Sequence, residues 1–162
     1  MRKLLVSLFL ITGFIIASAA GPSGKDLGFG IMFGDPLGGT LKYWSSGSNA
    51  FNFSVGSSYF GSPRVGADYL WHYEPFHFEQ FKLYAGPGIV LGIGSKDEKD
   101  KSDKFYDLKE SEAGIALRGI IGLAVIPKTI PFELFIEMGP LVGVAPEVGS
   151  AFDFGIGFRF YP

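Results

Sequence analysis

The sequence predicts an all-β protein, an eight-stranded antiparallel up-and-down transmembrane β-barrel, and three observations predict it. First, the chain closes with Ala151 to Pro162 (AFDFGIGFRFYP), where Phe152, Phe154, Ile156, Phe158 and Phe160 alternate with Ala151, Asp153, Gly155, Gly157, Arg159 and Tyr161. A period of two makes a strand with two unlike faces, and about ten such residues suit a membrane-crossing barrel strand. Second, the same alternation returns along most of the chain between turn signals. Third, 24 glycines stand beside 17 phenylalanines in 162 residues. Glycine weakens an ordinary strand, so this mixture asks for a face where side chains must be small, such as the interior of a narrow closed barrel.

The length suits one domain. With no cysteine, neither a disulfide framework nor a thiolate metal site is available. A net charge of -2 and a pI near 5.6 give no reason to expect nucleic acid as a partner. Arg2 and Lys3 precede an apolar run from Leu4 to Ala17, and Ala17-Ser18-Ala19 supplies small residues of the kind a signal peptidase reads. Residues 1–20 are therefore expected to be a cleaved secretory signal peptide. Residues 21–162 are expected to be the barrel domain, beginning at Ala20 or Gly21 to within a residue.

Taken in order, Leu27, Phe29, Ile31 and Phe33 form the outer face of strand one, and Asp35-Pro36-Leu37-Gly38 turns the chain. Strand two sets Leu41 and Tyr43 against Thr40, Lys42 and Trp44, and Ser45 to Ser48 makes the next turn. Phe51, Phe53 and Val55 oppose Asn52, Ser54 and Gly56. After a loop from Tyr59 to Pro63, Val65, Ala67, Tyr69, Trp71 and Tyr73 oppose Gly66, Asp68, Leu70 and His72. Strand five sets Phe81, Leu83, Ala85, Ile89, Leu91 and Ile93 against Lys82, Tyr84, Gly86, Gly88 and Gly92. Strand six sets Ala113, Ile115, Leu117, Ile121, Leu123 and Val125 against Gly114, Ala116, Arg118 and Gly122. Phe132, Leu134, Ile136 and Met138 face away from Glu133, Phe135, Glu137 and Gly139 in strand seven. The closing segment is the eighth.

Proline cannot donate to a sheet ladder. Pro36, Pro63, Pro75, Pro127, Pro131, Pro140 and Pro146 are expected in turns or at strand ends. Pro87 falls inside strand five, where a bulge between Gly86 and Gly88 would accommodate it. The turn after strand four is expected to bring His72 opposite Lys82.

A soluble lipocalin-like barrel would turn its apolar faces inward, and a membrane barrel turns them outward. The membrane arrangement fits better, because the other face is largely glycine instead of the Lys, Glu and Thr that water-facing strands carry. Its ions are also near balance, with Lys42, Lys82, Arg118 and Arg159 against Asp68, Glu133, Glu137 and Asp153. Such ions can satisfy one another in a confined lumen, and with His72 they form the predicted lumen charge network. Arg118 is expected to bridge to Glu137 across the strand six–seven hairpin. Tyr43, Trp71, Tyr73, Phe81, Phe132, Phe158 and Phe160 fall near one rim, the pattern of an aromatic girdle at a membrane interface. Strand parity puts the polar insertion 95–111 on the extracellular side, where long loops belong. Its default reading is a solvated, mobile loop, and the sticky character of Phe105, Tyr106 and Leu108 offers an extracellular partner as the alternative.

Asp153, Gly155, Phe158 and Phe160 resemble the C-terminal β-signal of bacterial outer-membrane proteins, although Tyr161 and Pro162 follow where such signals often end on the aromatic. The resemblance implies delivery by the barrel assembly machinery. The chain is similar in size and layout to the small barrels of the OmpA transmembrane-domain class. It also resembles a family of bacterial outer-membrane barrel domains in its Gly-rich first hairpin and in ELFIEMGP, residues 133–140. Neither resemblance implies an activity.

No catalytic, cofactor-binding or metal-binding set is expected. Histidine is limited to His72 and His77. His72 shares a face with Asp68, but four residues along a strand is about 13 Å, beyond a base–orienter pair. Metal-ligand spacing is absent. The expectation is a monomeric outer-membrane barrel with a plugged, charge-balanced lumen, surrounded by lipid, without cofactor, and structural or surface-interacting in role. A narrow channel for small solutes, a lipid-modifying outer-membrane enzyme and a periplasmic lipid binder are the alternatives.

Overall fold

A computed structural model describes residues 21–75, 80–94, 113–146 and 148–162. Residues 1–20, the histidine at 77 and the insertion at 95–111 lie outside them. The chain forms a closed barrel in which β1 (Leu27–Asp35), β2 (Leu37–Trp44), β3 (Asn49–Ser58), β4 (Gly61–Tyr73), β5 (Phe81–Ile93), β6 (Ala113–Val125), β7 (Phe132–Ala145) and β8 (Gly149–Phe160) pair in sequence order. All pairs are antiparallel, and β8 returns to β1 through Phe29↔Phe160 to Asp35↔Phe154. Closure leaves no sheet edge unpaired. We call the end that holds the start of β1 and the finish of β8 the near end, and the opposite one the far end.

Alternation decides what faces where. Phe152, Phe154, Ile156 and Phe158 are exposed on the outside, while Asp153, Gly155, Gly157 and Arg159 are buried inside. All eight strands repeat this division, and Phe29, Leu41, Phe53, Val65, Ile89, Leu117, Leu134 and Ile156 are among the large apolar side chains left exposed around the wall. Trp71, Tyr73, Phe81, Phe132 and Phe158 are exposed near the near end, with Tyr43 and Phe160 half-buried beside them. Phe160 packs between Phe29 and Phe132, with ring centroids 6.1 and 5.2 Å away. Phe33, Phe152 and Phe154 stand outside toward the far end, so outward aromatics occur at both ends rather than one.

Interior glycines make room for rings. A Cβ on Gly28 would lie 2.5 Å from the Tyr161 ring, on Gly122 2.3 Å from that of Tyr84, and on Gly157 2.6 Å from that of Phe135. The abundance of glycine and the abundance of aromatics are thus one packing solution.

Pro36, Pro75, Pro127, Pro131 and Pro146 lie between strands as expected, and three other prolines depart from expectation. Pro63 is inside β4, and Pro140 lies within β7, which continues to Ala145. Pro87 produces no bulge: the β5–β6 register is unbroken, and the β4–β5 register is unchanged from Asp68↔Gly88 to Trp71↔Ala85. Instead the ladder skips two pairs at Pro87, and it skips two more between Arg118↔Leu141 and Ile121↔Met138 at Pro140. A glycine precedes each proline. An added Cβ would stand 1.8 Å from the Tyr69 carbonyl oxygen at Gly86 and 1.8 Å from the Gly119 carbonyl oxygen at Gly139. The wall tolerates both prolines because a bare Cα lets the facing strand stay close.

Gly86→Ala and Gly139→Ala are accordingly expected to lower the unfolding free energy by about 1–3 kcal/mol each. Gly119→Ala is the control, since its Cβ would come no nearer than 3.7 Å to the Pro140 ring. Urea titration of the folded barrel, followed by gel mobility, separates the two outcomes.

Candidate functional site

The candidate site is the barrel interior, because that is where the alternation sends every buried charge. Lys42, Arg64, Arg118 and Arg159 face Asp68, Glu133, Glu137 and Asp153, four cations to four carboxylates among the described residues, all at most 4 % exposed. Burial of that many ions is tolerable only when each is paired and hydrogen-bonded.

Toward the near end the hub is Glu133 on β7. Its Oε1 accepts from Lys42 Nζ at 3.0 Å and Arg159 Nη1 at 2.6 Å, and its Oε2 accepts from the Tyr161 hydroxyl at 2.5 Å. Tyr161 in turn accepts from Trp44 Nε1 at 3.1 Å. Arg159 reaches Thr40 Oγ1 through Nε and Nη2, and Asn52 Oδ1 through Nη2, at 3.0–3.1 Å. Its guanidinium lies 3.7 Å from the Phe135 ring centroid, a stacked position that suits arginine. Gly157 makes that placement possible by leaving space for Phe135.

Toward the far end the hubs are Asp68 and Asp153. Arg118 grips Asp68 with Nε at 3.0 Å and Nη2 at 2.6 Å, and reaches Asp153 Oδ2 with Nη1 at 3.2 Å. Arg64 makes two bonds to Asp153, and the Tyr59 hydroxyl adds a third contact to its Oδ1 at 2.9 Å. Burial first, and then the Asp153 carboxylate, push the Tyr59 phenol well above its ordinary range, so it stays a donor. Asn52 joins the two halves: its Nδ2 donates to Asp68 at 2.9 Å while its Oδ1 accepts from Arg159 and Thr40.

Apolar layers close both ends. Trp44, Leu70, Tyr84, Phe135 and Tyr161 belong to a buried cluster on the near side, and Tyr59, Phe60, Val90, Ala116 and Leu141 to one on the far side. Outside the near layer a cavity of about 350 Å³ opens between Pro22, Ser23, Glu74, Lys82, Ile126 and Lys128.

The interior brings together Lys42, Asp68, Arg118, Glu133, Glu137, Asp153 and Arg159. Lys82 is a correction: it stands at the near mouth and pairs with half-exposed Glu74 at 2.7 Å, because its ammonium lies beyond the Trp44 layer. The Arg118–Glu137 bridge is present at 3.6 Å but is the loosest of three, since Asp68 and Asp153, each two strands away on either side, take the closer positions. Glu137 instead accepts from the Tyr84 hydroxyl at 2.9 Å. His72 pairs with Tyr84 across the sheet, not with Lys82, and lies between the Trp44 and Tyr84 rings. Its Nδ1 faces the Ser48 carbonyl oxygen at 3.2 Å, so it belongs to the near layer.

Sequence reasoning missed Arg64, Tyr59, Thr40, Asn52, Tyr84 and Tyr161 as network members. Strand parity carried the signal for most of them. Arg64, directly after Pro63, shares the parity of Asp68, and Tyr161 that of Asp153 and Arg159. Tyr59 had no such signal, because it sits in the turn between β3 and β4.

Comparison of the chain with known protein families, curated proteins and solved structures finds no match. What stands is the closed eight-stranded antiparallel architecture.

Proposed function

We propose that the protein is a bacterial outer-membrane barrel with a plugged, charge-balanced interior, serving a structural or surface-interaction role. One observation carries the reading: large apolar side chains are exposed on the outside of all eight strands while the charges are paired inside. A continuous apolar wall of this kind needs an apolar surrounding. In this reading residues 1–20 are removed on export, 21–162 form the membrane domain, lipid surrounds the wall, and the assembly machinery takes up the closing strand. Asp153, Gly155, Phe158 and Phe160 act as its signal, and the 95–111 segment is the surface available to an extracellular partner. The barrel is monomeric, and no enzymatic step is assigned to it.

The apolar layers on either side of a fully paired ionic centre favour a plug over a conduit. Full-chain protein in a planar bilayer is expected to give no unitary conductance. Reproducible single-channel steps would replace the plug with the narrow-channel reading. Recovery of the expressed protein in the soluble periplasmic fraction, without heat-modifiable migration, would remove the membrane reading itself.

A further inference from the structure

We propose that the far half of the interior is a binding chamber for a small phenol-like molecule, held shut by the chain's own Tyr59–Phe60 turn. The proposal concerns the inside of the barrel and does not depend on what surrounds the wall. The tip of a tight hairpin is normally its most exposed part. Here the tip between β3 and β4 carries two large aromatic residues, and Tyr59 is 8 % and Phe60 0 % exposed. A register shift between Gly56 and Ser58 re-aims the end of the hairpin.

The neighbouring strands are shaped to receive it. Gly61 holds φ at +158°, and a Cβ there would stand 2.6 Å from the Ile93 backbone nitrogen. On Gly92 a Cβ would stand 2.4 Å from the Phe60 carbonyl oxygen and 3.0 Å from its ring. Val90, Ala116 and Leu141 supply an apolar wall around the inserted rings. The floor is Asp153, where the Tyr59 hydroxyl donates. The turn is thus seated like a ligand: one ring in an apolar sleeve and one donor on a buried carboxylate.

That arrangement also selects the chemistry of a replacement. Asp153 already takes both Arg64 and Arg118, and the contact that Tyr59 adds to it is that of a neutral hydroxyl donor. A neutral ring with a hydroxyl reproduces that contact. Binding requires the turn to swing out, so the apparent affinity is the intrinsic one multiplied down by the small open fraction.

The test uses the folded full chain in maltoside micelles, with 4-methylphenol and toluene as probes and the methyl NMR signals of Val90 and Leu141 as the local readout. In the native chain 4-methylphenol is expected to shift both signals saturably. Tyr59→Ala/Phe60→Ala, which has no rings to displace, is expected to bind it roughly tenfold or more tightly, and to prefer it to toluene. Tyr59→Phe removes only the hydroxyl that anchors the turn. It keeps the test decisive if the double variant does not fold, and it too is expected to bind 4-methylphenol more tightly than the native chain. Absence of saturable shifts in the native chain would make the turn a permanent plug and overturn the proposal. Equal affinity in the native chain and the variants, or equal affinity for toluene, would overturn it as well.

Discussion

Replacing Arg159 with leucine is expected to lower the unfolding free energy by about 3–5 kcal/mol. The side chain is fully buried and donates to Glu133, Thr40 and Asn52 at once. Its loss leaves Glu133 with Lys42 as sole ionic partner, and Asn52 loses the donor that ties the near half of the network to the far half. Desolvation of the remaining carboxylate is then only partly offset by Lys42 and Tyr161, and that penalty is the larger part of the effect. Arg159→Lys separates charge from geometry. It keeps the four-to-four balance but lacks the planar fork, so a smaller loss of about 1–3 kcal/mol is expected. Urea unfolding of the folded barrel measures both, and an Arg159→Leu barrel within 1 kcal/mol of the native one would contradict a network that holds the interior together.

Ile121→Arg is expected to cost about 2–4 kcal/mol in a bilayer, the depth-dependent penalty for a cation on the lipid side of a barrel near the midplane. Ile121 is 55 % exposed on the outside of β6, beside Ala85 and Met138. It makes no polar contact that the substitution would break. On a water-facing wall the same change would fall within about 0.5 kcal/mol of neutral. Folding the variant into vesicles and following its urea transition distinguishes those cases, and an unchanged midpoint would argue against lipid at this position.

The faces of the barrel could be read from sequence because a period of two is a local property of the backbone. Alternation separates Asp153 and Arg159 from Phe152, Phe154, Ile156 and Phe158, and the glycines and balanced charges of the first face point it inward. What alternation does not encode is who meets whom across the interior. Arg118 was expected to use Glu137 on its hairpin neighbour, but closure brings Asp68 and Asp153 from more distant strands into closer reach. Lys82 has the parity of an inward residue and the height of a mouth residue, and only the second decides its environment. Arg64 was hidden by reading Pro63 as loop, and the run of β7 past Pro140 by reading that proline as a stop. Both errors treat proline as a terminator. A strand continues through Pro87 and Pro140 where the preceding Gly86 and Gly139 let the facing carbonyl approach, whereas Pro63 follows Ser62 close to the start of β4. The inserted Tyr59–Phe60 turn depends on space left by Gly92 on another strand, which no local pattern announces.

The chain's two tryptophans offer the most direct test of an apolar wall set in lipid. Trp44 is fully buried inside the near layer, and Trp71 is 41 % exposed on the outside near the rim. With the barrel folded into vesicles containing bromine-labelled acyl chains, the native protein is expected to lose a large share of its tryptophan emission. Trp71→Phe, which leaves Trp44 alone, is expected to lose almost none. Emission from Trp71 that is untouched by the labelled lipid and quenched by iodide in the water would contradict the account.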